Sequence, residues 1–179
     1  EAFQGPFRFG NLKWGKRPSL AGYLDCLTQK EFDDFGPYIS YYKSQDEVPI
    51  EQLAALISSD EIVNVVRGSM EFGPRALCAT TTFALPTREN VADINTMNNR
   101  DTVMPMAPVM SVLEADRYFD RSARERVIGS DKFMILTYDY NNFNDDDPAL
   151  AGVCHQYPTQ DLYSGRPQLI DHHDAWTLS

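Results

Sequence analysis

The sequence predicts an α/β fold, and three observations carry that expectation. Short runs rich in β-branched and aromatic residues (IVNVV, TTTFALP, KFMILTYDY) recur along the chain, each bounded by turn residues. Between them lie segments whose apolar residues repeat at helical spacing. The two kinds of segment interleave from residue 49 onward, the order of a sheet domain with packed helices.

Taken in order, residues 1–45 are rich in Gly, Pro and aromatics and read as an irregular connection around one short helix, residues 19–29. Pro49 is tolerated in a first helical turn and opens a helix whose apolar face is Ile50, Leu53, Ala54 and Ile57, ending at Asp60 and Glu61. IVNVV (62–66) is the first strand and TTTFALP (80–86) the second. Residues 88–99 form a helix with Val91, Ile94 and Met97 on one side. MAPVMSVL (106–113) is a third strand, LEADRYF (113–119) a short helix and KFMILTYDY (132–140) a fourth strand. NNFNDDD reads as a solvated loop, and LAGVCH (150–155) and RPQLI (166–170) as the last strands.

Composition narrows the function classes. A 179-residue chain with 42% hydrophobic and 23% charged residues suits one globular domain. Its 10 Phe and 9 Tyr disfavour disorder, and no window approaches the ~18 apolar residues of a membrane span. A net charge of −10 argues against sequence-independent binding to a nucleic-acid backbone. Cys26, Cys78 and Cys154 are scattered and odd in number, which suggests neither a zinc site nor a disulfide framework and fits a cytoplasmic setting. The N-terminus has no signal-peptide pattern and no initiator Met, so a fragment or processed piece of something longer is expected.

The stretch with the most chemistry is GSMEFGPRAL, Gly68 to Leu77. Two glycines open conformations closed to other residues, and Pro74 restricts the chain just before Arg75. A pre-oriented arginine beside a glycine turn suits bidentate binding of phosphate or carboxylate. The structural alternative is an Arg75 paired with a carboxylate such as Glu71. His172 and His173 are neighbours in a polar tail and read as solvated. Met97, Met104, Met106, Met110 and Met134 read as core packing.

GSMEFGPRALC, then DIN, an R-D pair and MPMAPVM together resemble the C-terminal domain of the NodU/CmcH-type carbamoyltransferases. That family's pattern is G-x-M-E-F-G-P-R-A-L-G-N-R-S, an I/L-N pair, K-x-R-E and F-R-P-x-A-P. EFGPRAL is an unbroken seven-residue match, and the resemblance runs from about Gly36 to Gln168. It implies a YrdC-like twisted mixed sheet with flanking helices over residues 46–179. Residues 1–45 would be the connector from a preceding domain of the actin/Hsp70 ATPase fold.

The resemblance also implies the activity. This half would bind ATP, with Mg²⁺ as its ion, and carbamoyl phosphate, and form carbamoyl-adenylate, releasing pyrophosphate and phosphate. The preceding domain would hold iron or another metal and pass the carbamoyl group to an acceptor hydroxyl. A homodimer is left open. The residues matching the motifs are Arg75, Asn95, Arg100, Ser164, Arg166 and His155, with Gln168 beside them. Two anionic substrates require cationic forks to neutralise and align them, the task assigned to the arginines.

Four usual family cations are absent. Thr80 falls within the family's Gly-Asn-Arg-Ser segment, Thr87 replaces the Arg of Asp-Pro-Arg, Asn98 replaces the Lys of K-x-R-E, and Met104 precedes Pro105 where the family has Arg. Cys78 stands for the family glycine, and Arg67, Arg88 and Lys132 are candidate replacements for the lost charges. The alternative reading is therefore a catalytically degenerate regulatory or nucleotide-binding domain of the same fold.

Overall fold

In the computed structural model the described residues are 28–35, 50–100, 105–120, 131–141 and 150–171. The chain is α/β, with helices and strands interleaved as expected. No helix among the described residues is long and apolar enough to cross a membrane.

Helix α1 (Gln29–Phe35) lies where an irregular connection was expected; the helix expected over residues 19–29 lies almost wholly outside the described residues. Its start is fixed by a capping box. Glu31 N donates to Thr28 Oγ1 at 3.3 Å, and the Glu31 carboxylate accepts from Thr28 N at 2.8 Å. Helix α2 (Ile50–Ser58) follows its predicted bounds. It closes in a Schellman turn: Glu61 N donates to Leu56 O, Asp60 N donates to Ile57 O, and Asp60 takes a left-handed φ of 72°.

Strand β1 (Val63–Val66) pairs antiparallel with β2 (Thr80–Phe83), Val63 opposite Phe83 and Val66 opposite Thr80. Helix α3 (Arg88–Met97) is capped by Thr87, whose hydroxyl accepts from Asn90 N. It buries Asn90, Ile94 and Asn95 and leaves Met97 exposed, so Met97 is not the core residue its spacing suggested.

The third expected strand is shorter than predicted, because Ser111 caps the helix that follows. Strand β3 (Val109–Ser111) passes directly into α4 (Val112–Tyr118), with the Ser111 hydroxyl accepting from Leu113 N. The expected fourth strand is interrupted. Residues Asp131–Phe133 form a 3-10 turn, Met134 takes a φ of 50°, and the part that pairs as a strand is β4 (Tyr138–Asp139), followed by a bridge from Tyr140 to Phe119. LAGVCH is mostly a turn in which Val153 N donates to Leu150 O, and β5 (His155–Gln156) begins at its end. Strands β6 (Tyr163–Gly165) and β7 (Gln168–Ile170) complete the described elements.

The described strands form three short ladders: β1–β2, a parallel β3–β7 pair, and an antiparallel β4–β6–β5 group. Parallel and antiparallel pairing coexist, but the strands do not join into one continuous sheet among the described residues. The main core holds Phe119 between Tyr138 and Tyr140, with ring centroids 5.7 and 4.7 Å away, backed by Leu150, Val153 and Leu169. Met106 and Met110 pack against this core, and Met134 packs with Leu77 in a second cluster, as expected for core methionines. Met104, His172, His173 and most of the acidic loop lie outside the described residues.

Candidate anion site

The loop between β1 and β2 is organised around Glu71. Its Oε1 accepts from the backbone N–H groups of Leu77 (2.9 Å), Ala79 (2.7 Å) and Thr80 (2.9 Å). Three amides converging on one oxygen form an anion nest, here occupied by the protein's own carboxylate. Partial burial pushes the Glu71 carboxyl up, but the hydrogen bonds from Thr80, Leu77, its own amide and Ala79 outweigh that and hold it below its ordinary range. Gly68 and Gly73 supply the φ values of 63° and 137° that let the loop double back.

The Arg75–Glu71 pair of the structural alternative is not made. Glu71 is engaged by backbone amides, not by the guanidinium. Arg75 is half-buried, and its Nε is buried with no hydrogen-bond partner. Arg166 is in the same condition. Burial lowers the Arg166 pKa, and the Arg75 charge lowers it further, so two guanidiniums face each other's field. No ion pair with a carboxylate relieves either one among the described residues.

Both arginines line a cleft of about 1070 Å³. Arg100 lines it too, placed by the exit of α3. Arg100 N donates to Asn95 O, Asn99 N donates to Thr96 O, and Asn99 takes a φ of 49°, a second Schellman turn. Glu114 is the acidic residue of the lining, and it is bound to Arg117 at 2.7 Å. In a chain of net charge −10, a described lining of three arginines and one already-paired carboxylate is locally cationic. Thr80, Thr81 and Thr82 add polar lining, while Leu85, Pro86, Val91, Ile94 and Val153 supply apolar surface. Such a cleft suits a ligand with an anionic head and an apolar body.

A model of the carbamoyltransferase C-terminus family matches residues 54–178. The chain belongs to that family. It is also 41% identical over 69 residues to an uncharacterized protein of Methanocaldococcus jannaschii, a match covering 38% of this chain and 13% of that relative. The chain therefore spans only a small part of the relative's length.

Within this carbamoyltransferase-related domain, Arg75, Arg100 and Arg166 come together at one cleft. Asn95 does not line it. Asn95 is fully buried on the inner face of α3, and both side-chain amide atoms lack partners. Ser164 and His155 do not line it either; they are register partners in the β4–β6–β5 ladder. Ser164 is buried there and His155 is exposed. Gln168, which matches the family's last segment and is there expected to donate to phosphate or ribose, does line the cleft; its side-chain Nε2 is also buried without a partner.

The departures from the family pattern have local structural uses. Thr87 caps α3, and Asn98 ends it, donating from Nδ2 to Ile94 O at 2.9 Å. None of the three candidate replacement cations lines the cleft. Arg67 Nε donates to Cys78 O, Arg88 is exposed at the start of α3, and Lys132 sits in the 3-10 turn. Cys78 has a φ of 68°, the left-handed conformation that accounts for a glycine at this place in the family pattern.

Proposed function

We propose that this domain is the ATP- and carbamoyl-phosphate-binding half of an O-carbamoyltransferase. Arg75 and Arg166 carry the reading: two arginines lining one cleft, each with a buried Nε–H and no acceptor for it, are prepared for an anion. Arg100 adds a third charge at the same cleft. The apolar lining near Pro86 and Val91 suits a nucleoside base. Mg²⁺ enters this reading as the ion that accompanies ATP.

In this reading water takes the phosphoryl group of carbamoyl phosphate, releasing phosphate and leaving carbamate. The arginines neutralise the phosphates of both substrates and bring the carbamate oxygen to the α-phosphorus of ATP, where the new O–P bond forms as the bond to pyrophosphate breaks. The carbamoyl-adenylate then passes to a preceding acceptor-holding domain, with residues 1–45 as the connector. The test is pyrophosphate release from ATP by the chain, with and without carbamoyl phosphate. Release that depends on carbamoyl phosphate supports adenylation. ATP binding with no such release supports the alternative, a domain of the same fold that binds nucleotide without activating it. The use of Thr87 and Asn98 as helix caps, where the family pattern has cations, favours that alternative.

A further inference from the structure

Cys78 and Gln168, ninety positions apart, meet in the interior: Cys78 Sγ donates to Gln168 Oε1 at 3.3 Å. Both ends of the contact are fixed by the backbone. Cys78 N donates to Thr81 Oγ1 at 3.0 Å, at the end of the loop clamped by Glu71. Gln168 N donates to Pro108 O at 2.8 Å, and Gln168 pairs in register with Val109 of β3. The Gln168 side chain is fully buried, lines the arginine cleft, and has an Nε2 with no acceptor.

A carboxamide carries its acceptor on one arm and its two donors on the other. With Oε1 held by the thiol, the donor arm is the one left without a partner. The opposite orientation would leave an amide oxygen without a partner at the cleft that Arg75 and Arg166 also line, an acceptor where an anion needs donors. Glycine at position 78 has no side chain with which to hold the amide, so this contact belongs to the cysteine.

We infer that Cys78 is a positioning residue: its S–H fixes the Gln168 carboxamide so that Nε2 joins Arg75 and Arg166 in an all-donor anion site. This rests on the phosphate-binding reading above. Cys78→Ala and Cys78→Ser both keep a Cβ at the same left-handed φ, so their strain cancels in comparison and only the donor differs.

The experiment is calorimetric titration of the full chain with ATP for wild type, Cys78→Ala, Cys78→Ser, Gln168→Ala and the Cys78→Ala/Gln168→Ala pair. Cys78→Ala weakens ATP binding about threefold to tenfold, and Cys78→Ser stays within about twofold of wild type. Adding Cys78→Ala to Gln168→Ala produces no further loss, because the cysteine acts only through the amide. Where Cys78→Ala fails to fold, Cys78→Gly relieves the backbone and gives the same loss. Wild-type affinity in both Cys78→Ala and Cys78→Gly overturns the inference alone, as does a full Cys78→Ala loss that persists without Gln168. Failure of the wild-type chain to bind ATP overturns the nucleotide reading and this inference together.

Discussion

Arg75 acts electrostatically on Arg166: its charge lowers the Arg166 pKa, and both side chains carry a buried Nε–H with no acceptor. The cost of assembling two such cations falls on folding, while the benefit appears only when an anion enters. Arg75→Ala therefore weakens ATP binding by ~1.5–3 kcal/mol, about tenfold to a hundredfold, and leaves the melting temperature unchanged or slightly raised. Arg75→Lys rescues only part of the affinity, because a point charge cannot grip two oxygens at once. Calorimetry and thermal melts on the same variants check both halves.

Glu71 has the complementary role. Its carboxylate holds the loop amides, so Glu71→Ala costs about 1–3 kcal/mol of stability and loosens the segment that presents Arg75. Its folded pKa lies below the ordinary value of 4.5, so its contribution is present above that pH and is lost as pH falls through the folded value. Denaturant unfolding measured from pH 6 down to about pH 3 shows a steeper loss for wild type than for Glu71→Gln, whose neutral amide does not titrate.

Thr87→Ala removes the cap of α3 and lowers stability by about 1 kcal/mol. Thr87→Ser preserves it. Equal melting temperatures for all three proteins would remove the structural explanation for threonine at this position.

Gly152 sits where an added Cβ would strike the backbone carbonyls of Pro86 and Thr87 and the Val91 side chain. Backbone cannot yield as a side-chain tip can, so Gly152→Ala costs about 1–3 kcal/mol. Pro86 and Val91 also line the cleft, so ATP affinity falls with stability in this variant, unlike in Arg75→Ala.

Local chemistry made part of this molecule legible in the sequence. Helices α2 and α3 and the β1–β2 pair follow directly from periodicity and β-branched runs. The T-x-x-E capping box at Thr28 was also readable, and it places α1 where composition alone suggested a connector. Other features depend on tertiary contacts. The break at Met134 follows from a left-handed residue that no local motif announces, and the turn at Leu150–Val153 is fixed by Gly152 N donating to Pro86 O. At the site, the run EFGPRAL points to Arg75, but only the fold reveals that Glu71 turns to the backbone instead. Ser164 and His155 face each other across the β5–β6 pair and do not line the arginine cleft, a register that spacing along the chain does not encode.

The central claim is that the arginine cleft binds phosphate-bearing ligands, and calorimetric titration of the 179-residue chain with ATP and with carbamoyl phosphate tests it most directly. The account predicts saturable binding of both, weakened about tenfold or more by Arg75→Ala and by Arg166→Ala, in variants that melt within a few degrees of wild type. Wild-type affinity in both arginine variants, or no binding of either ligand by the folded chain, would contradict it.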